Sequence, residues 1–337
     1  MPRQSRLIYD FNSALKHLQE GTSLAPAALS ALSGANKQNL ATFAQTWIAL
    51  PVERRRSAAQ ALVELAEENI ELDFNALYRY WLNDDDAPVR ASAIEGLWED
   101  EDRALVKPLV GFLRSDPNAD VRAAAADALG RFMLLAEYGR LPQSPYGDLI
   151  DEALRATIDS GAEDLAVRCR AVEAVGHSSR AGVRDIIAAA YADDDAEMRA
   201  SAIAAMGHSA DKYWRKTAAR ELDSPDPRMR FEAARAMGEL EYRAAIPQLI
   251  ELLDDPDRAV QMATITALGQ IGGRSAMQVL TRVAASEEQV LRESAAEALQ
   301  ELQFTSDPGF LLFDLESDDE LAELDEDEDD NDDALTS

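Results

Sequence analysis

Residues 221–270 read ELDSPDPRMRFEAARAMGELEYRAAIPQLIELLDDPDRAVQMATITALGQ and contain one pattern almost twice. In each copy an apolar helical segment ends in acidic residues, a tight turn with Asp-Pro follows, and a second helix begins. The second helix carries small residues three and six positions after a marker residue, which is Arg230 in one copy and Gln261 in the next. This arrangement predicts a tandem repeat of helix pairs.

The marker position can be followed through most of the chain. The last five markers are spaced by 31 residues, and the earlier spacings are 35, 32 and 46 residues. A fixed period of this length is typical of stacked supersecondary units, and the spacing of 46 indicates an insertion of about 15 residues. The markers are Arg55, Arg90, Arg122, Arg168, Arg199, Arg230, Gln261 and Arg292.

The residues of one unit explain why the units must stack. Ile246, Leu249, Ile250 and Leu253 fall at helical spacing and give the first helix an apolar stripe. Because one helix pair cannot bury its own stripes, each pair must pack on the next. The sequence therefore predicts an all-α fold, a right-handed superhelical solenoid of about eight helix pairs.

Two further residue types recur with the repeat. Glycine stands eight positions after five of the markers, where it is predicted to end each helix in the left-handed conformation. Aspartates stand in the turns before the marker arginines, and we expect Asp–Arg contacts between neighbouring turns rather than a row of arginines that binds a ligand. The glycines are Gly130, Gly176, Gly207, Gly238 and Gly269.

The stretch DPRMRFEAARAMG, from Asp226 to Gly238, resembles the HEAT-repeat family, and weaker copies stand at the other markers. The similarity covers roughly residues 37–304 and is to the short HEAT-like repeats also found in phycobilin lyases and deoxyhypusine hydroxylases. It implies the solenoid fold predicted above. It implies little about function, because one fold hosts many functions.

Three regions follow from the repeat boundaries. Residues 1–36 are predicted to form an N-terminal helical cap, residues 37–304 the solenoid, and residues 305–337 a disordered acidic tail. An insertion near residues 138–150 interrupts the repeats and contains Tyr138 and Tyr146. Such inserted loops often carry function, and an insertion without function is an equal alternative.

The formal charge of −30 is concentrated at the C-terminal end. Residues 293–337 contain 18 Asp or Glu and no Lys or Arg. Like-charge blocks of this size often serve as interaction tails, so a basic protein is the expected partner. Direct binding to nucleic acid is not expected, because phosphates require clustered cations. Occupation of the chain's own groove by the tail is left open as an alternative.

Composition also limits the chemistry and the compartment. Cys169 is the only cysteine, which excludes an internal disulfide and zinc sites built from several thiolates. No secretory signal and no run of about 18 apolar residues is found. The expectation is a cytoplasmic monomer that does not bind a membrane.

No cofactor, metal site or catalytic residue is predicted. His177 and His208 stand 31 residues apart at equivalent positions of two units. Stacked helices would hold them roughly 10 Å apart, which is too far for one metal ion. The alternative to a non-enzyme is a chromophore-handling protein similar to bilin lyases, for which Cys169 is the one candidate thiol.

The candidate partner-binding surface is the face of the second helices, at positions one, two and five after each marker. In two neighbouring units large apolar residues replace the usual alanine, and such residues suit interface anchors. The expected function is a non-catalytic protein–protein interaction scaffold. The candidate residues are Phe231, Glu232, Arg235, Met262 and Thr266, with Tyr138 and Tyr146 of the insertion.

Overall fold

The computed structural model describes residues 9–21 and 23–305. The chain divides into two compact units, and the division falls between Ala174 and Val175. The regular elements of the described residues are all helical, so the predicted all-α class is confirmed. Residues 306–337 of the predicted acidic tail and residues 1–8 of the predicted cap lie outside the described residues.

The first unit begins with two short helices and continues with four helix pairs. Helix α1 packs on α2 and α3, and α2 packs on α4, so the first two helices lie against the first pair. The helices are α1 Phe11–Glu20, α2 Pro26–Ser30, α3 Lys37–Trp47, α4 Val52–Glu68, α5 Asn75–Trp81, α6 Ala87–Gly96, α7 Val106–Ser115, α8 Ala119–Glu137, α9 Asp148–Ile158 and α10 Leu165–Gly176.

The second unit contains four further pairs, several of them introduced by a short 3-10 turn such as Lys212–Trp214 or Arg243–Ala245. The helices are α11 Val183–Tyr191, α12 Ala196–His208, α13 Arg215–Arg220, α14 Pro227–Glu239, α15 Ile246–Leu252, α16 Arg258–Ile271, α17 Gly273–Val283 and α18 Gln289–Thr305. Every marker of the sequence repeat lies in an even-numbered helix, which is the second helix of its pair. The predicted count of about eight pairs is confirmed for the described residues.

The start of each second helix follows from its turn residues. Asp195, Asp226 and Asp257 precede α12, α14 and α16 with extended backbone, and each carboxylate accepts hydrogen bonds from amides of the first turn. Aspartate is favoured at this position because the first amides of a helix have no partner within the helix. The Asp-rich turns therefore act as helix caps.

The repeated glycines have a different role from the predicted one. Gly176, Gly207 and Gly238 lie within or at the last turn of their helices and do not have positive φ. A Cβ added at Gly238 would lie 2.8 Å from the Ala267 Cα of the next second helix. Glycine is required there because the second helices of consecutive pairs pack backbone to backbone, and the prediction of left-handed helix ends at these positions is wrong.

A cluster of aromatic side chains fills the core of the first two pairs. The Trp47 and Trp81 rings stack with 4.5 Å between their centroids, and both side chains are fully buried. The indole Nε1 of Trp47 donates to Asp84 Oδ2 at 2.6 Å.

No helix among the described residues is long and apolar enough to cross a bilayer.

Candidate interaction surface

The predicted partner-binding residues of the second unit lie on two helices that pack side by side, α14 and α16. Phe231, Glu232 and Arg235 lie on α14, and all three are partly buried. Arg235 Nη1 donates to Glu232 Oε2 at 3.1 Å, and the guanidinium carbon lies 5.8 Å from the centroid of the Phe231 ring. These contacts hold an apolar ring, an acid and a base in one ordered patch.

Arg235 also faces the end of its own helix. Its Nη2 lies 3.6 Å from Glu239 Oε1, and its side chain is 41% exposed. Burial raises the pKa of Glu239 above its usual value, and the neighbouring His208 and Arg235 oppose this rise. The patch therefore contains an arginine that is held by two carboxylates and still reaches solvent.

Met262 and Thr266 continue this surface on α16. Met262 is partly buried, with its Sδ 3.6 Å from Ser294 Oγ, and Thr266 is exposed. The Thr266 hydroxyl donates to the Met262 carbonyl at 3.2 Å. Ala263, two positions after the marker, was also expected to be exposed and is 6% exposed. That position of α16 packs into the helix interface, so only positions one and five contribute to the surface there.

Tyr138 and Tyr146 belong to the first unit. Tyr138 caps the C-terminal end of α8 and is 74% exposed. Tyr146 lies in the irregular helical turn Gln143–Gly147 and is partly buried. Of these two tyrosines, Tyr138 presents the more accessible ring.

A groove of about 470 Å³ in the first unit was not predicted as a site. It lies along α6 and α8, and Trp98, which is 53% exposed, forms part of its wall. Burial raises the pKa of the groove residue Glu95, and the carboxylates of Glu67 and Asp127 raise it further. The sequence signal for this groove was Trp98 itself. Trp98 stands eight positions after its marker, and most other repeats have glycine there.

The marker arginines form the predicted structural ladder. Arg90 Nε and Nη2 donate to the Asp116 carboxylate, each at 2.9 Å, and Arg230 makes the same two-pronged contact with Asp255 at 2.7 and 2.9 Å. A third bond runs from Arg230 Nη1 to the Ser224 carbonyl at 2.9 Å. Arg90 and Arg230 thus tie their own turns to the turn of the next pair, and their side chains, 11% and 13% exposed, are too buried to form a binding row.

The two histidines are much closer than predicted. The rings of His177 and His208 stack in parallel with 4.3 Å between their centroids. The prediction of roughly 10 Å is wrong because a Cβ at the neighbouring Gly176 would lie 2.9 Å from Ala205 Cα, so the two helices approach very closely here. Burial, and then the charge of His208, lowers the pKa of His177 to about 3.

Other candidate chemistry is confined to the interior. Cys169 is 6% exposed and Trp214 is 3% exposed, so both side chains pack in the interior. In the part of the chain that the structure describes, no group of three or more His, Cys, Asp or Glu side chains is arranged to hold a metal ion.

Comparison with known proteins places the sequence repeat in a family. HEAT repeats match residues 75–140 and 215–300. No curated protein matches the sequence.

Several solved structures resemble the fold. The phycocyanin lyase complex of CpcE and CpcF from Nostoc sp. PCC7120 has 19% identity and a TM-score of 0.49, covering 69% of this chain and 90% of that one. Human deoxyhypusine hydroxylase in complex with glycerol has 19% identity and a TM-score of 0.35, covering 79% and 96%. Importin beta has 14% identity and a TM-score of 0.43, covering 86% and 46%.

The two matched regions coincide with helix pairs α5 to α8 and α13 to α18, whose turns, caps and close helix contacts follow the repeated residues. The sequence match and the stacked helix pairs on which it falls show that the chain contains HEAT repeats in these two regions.

Proposed function

We propose that the protein is a non-catalytic interaction scaffold that holds a segment of a partner protein against the exposed face of α14 and α16. Phe231 and Met262 are the apolar anchors, and Glu232, Arg235 and Thr266 are the polar contacts around them. Tyr138 and Tyr146 of the first unit are proposed as a second contact region.

The observation that carries this proposal is the pairing of Phe231 with Met262. Both stand one position after the marker, on adjacent helices, and both are partly accessible to solvent. The same position is alanine in three other units, at Ala91, Ala123 and Ala200. Large apolar side chains in place of alanine offer anchors of the kind that dominate protein interfaces.

The charge of the chain indicates the kind of partner. Residues 314–333 contain 14 Asp or Glu. A block of this density attracts positively charged molecules over about 8 Å at physiological salt, and such attraction raises the rate of encounter more than the final affinity. We therefore propose a partner with a basic surface, which the acidic residues attract and the α14–α16 face retains.

The test compares partner capture by three forms of the full-length protein. The Phe231→Asp/Met262→Asp variant places two negative charges on the proposed face, and Ile70→Asp places one negative charge on a residue that is 82% exposed and lies elsewhere. We expect the wild type and Ile70→Asp to retain the same partner. The double variant should bind that purified partner at least about 30-fold more weakly, the effect of losing one hot spot of about 2 kcal/mol.

Equal binding by the double variant and the wild type would refute the proposed face.

A chromophore-handling function similar to that of bilin lyases has no supporting observation, since Cys169 is buried, and it stays an untested prediction. The cytoplasmic location and the monomeric state also stay predictions.

A further inference from the structure

The second unit has two edges of opposite charge. One edge consists of the turns within helix pairs, which join α11 to α12, α13 to α14, α15 to α16 and α17 to α18. The other consists of the turns between pairs, which follow α10, α12, α14 and α16. Both sets recur with the 31-residue period, so windows of ten residues can be compared directly.

The four turns between pairs are rich in basic residues. Residues 176–185, 207–216, 238–247 and 269–278 together hold seven Lys or Arg and four Asp or Glu. The four turns within pairs, residues 190–199, 221–230, 252–261 and 283–292, hold five Lys or Arg and twelve Asp or Glu. One edge is therefore net positive in a protein whose formal charge is −30.

The positive charges are regularly placed. Lys212, Arg243 and Arg274 stand 31 residues apart, at the start of three successive first helices, and Lys212 and Arg274 are exposed. Asp211 and Glu241 lie beside them, and Asp211 pairs with Arg184 at 2.6 Å. We use the name basic edge for Arg180, Arg184, Lys212, Lys216, Arg243 and Arg274.

The described chain ends beside this edge. Consecutive second helices are parallel, because a Cβ at Gly207 would meet Ala236, one at Gly238 would meet Ala267, and one at Gly269 would meet Ala298. Their C-terminal ends therefore share one edge with the turns between pairs. Helix α18 follows the same direction and ends at Thr305, seven residues beyond Ala298.

We propose that the basic edge is the docking surface for the chain's own acidic segment, residues 314–333. Charge complementarity carries the proposal: 14 carboxylates within 20 residues begin nine residues after Thr305, and the edge at which Thr305 lies carries a row of cations that repeats once per helix pair. The contact is electrostatic and multivalent.

The length of the segment fits the distance to be covered. A flexible chain of 32 residues, the number that follow Thr305, would span about 30 Å, and four helix pairs at about 10 Å each give an edge of similar length. Attachment to the same unit keeps the local concentration of the acidic segment in about the millimolar range. Individually weak surface ion pairs, each worth about 0–1 kcal/mol, can therefore add up to a populated docked state.

The docking requires no partner protein. Its consequence for function rests on the proposed function: a basic partner would compete with the basic edge for the same carboxylates, so partner binding would release the segment. Since the docking is tested without a partner, its failure would leave the α14–α16 proposal untouched.

The test is zero-length carbodiimide coupling of the full-length protein, which joins a lysine amine to a carboxylate in direct contact. The chain has only five lysines: Lys212 and Lys216 on the basic edge, and Lys16, Lys37 and Lys107 in the first unit. We expect mass spectrometry to find residues 314–333 joined to Lys212 or Lys216 and not to the other three. The yield should fall at least five-fold when NaCl is raised to about 1 M, where the screening length is about 3 Å.

Two charge-reversal variants with the same net charge distinguish the effect of the basic edge on coupling from the effect of overall charge. Arg243→Glu/Arg274→Glu should lower coupling at Lys212 and Lys216 several-fold, although both lysines remain. Arg228→Glu/Arg258→Glu changes the net charge equally, at exposed arginines of the opposite edge, and should leave coupling unchanged.

Three results would overturn the proposal. The first is equal coupling at all five lysines, and the second is coupling that Arg243→Glu/Arg274→Glu does not reduce. The third is coupling between isotopically labelled and unlabelled chains in a mixture, since the occupant would then be a second copy of the protein.

Discussion

Removal of one marker arginine should destabilise the second unit far more than removal of an exposed one. In the change Arg230→Ala, the Asp255 carboxylate, whose side chain is only 4% exposed, loses the two hydrogen bonds that Arg230 donates, and the Ser224 carbonyl loses the donor Arg230 Nη1. A buried ion pair that loses one partner costs about 3–5 kcal/mol, because the remaining charge is left without compensation. We take about 3 kcal/mol, since Asp255 keeps the amide of Asp257 as a donor.

The assay is urea unfolding followed by far-UV circular dichroism, with thermal unfolding as a second measure. A loss of about 3 kcal/mol corresponds to a melting temperature lower by about 6–12 °C for a unit of this size. The matched control is Arg228→Ala, which removes an arginine two residues away whose side chain is 54% exposed and pairs with Asp226. The control should leave the unfolding curve nearly unchanged.

The double variant Arg230→Met/Asp255→Asn tests the cause. If the penalty arises from the unpaired buried carboxylate, the double variant should recover much of the stability that Arg230→Ala loses. Arg230 lowers the pKa of Asp255, so the stabilisation is fully present above the unfolded pKa of about 3.9 and is lost as the pH falls through the lower folded value. Equal unfolding midpoints for Arg230→Ala and Arg228→Ala would refute this reasoning.

Two further predictions concern the close contacts between second helices. Gly238→Ala should lower the free energy of unfolding by about 1–3 kcal/mol, because the added Cβ would lie 2.8 Å from Ala267 Cα. The control is Gly111→Ala, where the added Cβ meets no atom within 4 Å. In the same unfolding assay the control should be neutral or stabilise the protein by up to about 1 kcal/mol. The pKa of His177 is about 3 in the folded protein, so between pH about 6.5 and 3 this side chain takes up a proton on unfolding. The free energy of unfolding should therefore fall as the pH is lowered through that range. His177→Gln should remove a slope of up to about 1.4 kcal/mol per pH unit, and an unchanged pH dependence would show that His177 is not buried as a neutral ring.

The fold was predictable because its cause is periodic. The acidic turns, the marker positions and the small residues three and six positions later recur every 31 residues through the last five repeats, and each has a local physical role. Helix pairing, the aspartate caps and the arginine ladder therefore follow from the sequence alone.

The errors concern the distances between the second helices of consecutive pairs. The repeat period gives the number of helix pairs but not how closely they approach one another. The glycines at position eight were interpreted by their backbone freedom, but they serve to let two helix backbones touch, and this contact also brings His177 and His208 into a stack. The groove beside Trp98 was missed for a related reason. Its one signal in the sequence is Trp98, a large residue where most other repeats have glycine, and a single substitution does not show that a groove forms beside it.

The most direct test of the proposed function is hydrogen exchange of the full-length protein with and without its captured partner. The proposal predicts slower exchange in the peptides of α14 and α16 that contain Phe231 and Met262, and no slowing in Phe231→Asp/Met262→Asp. Protection confined to other helices, or the same protection in the double variant, would contradict it.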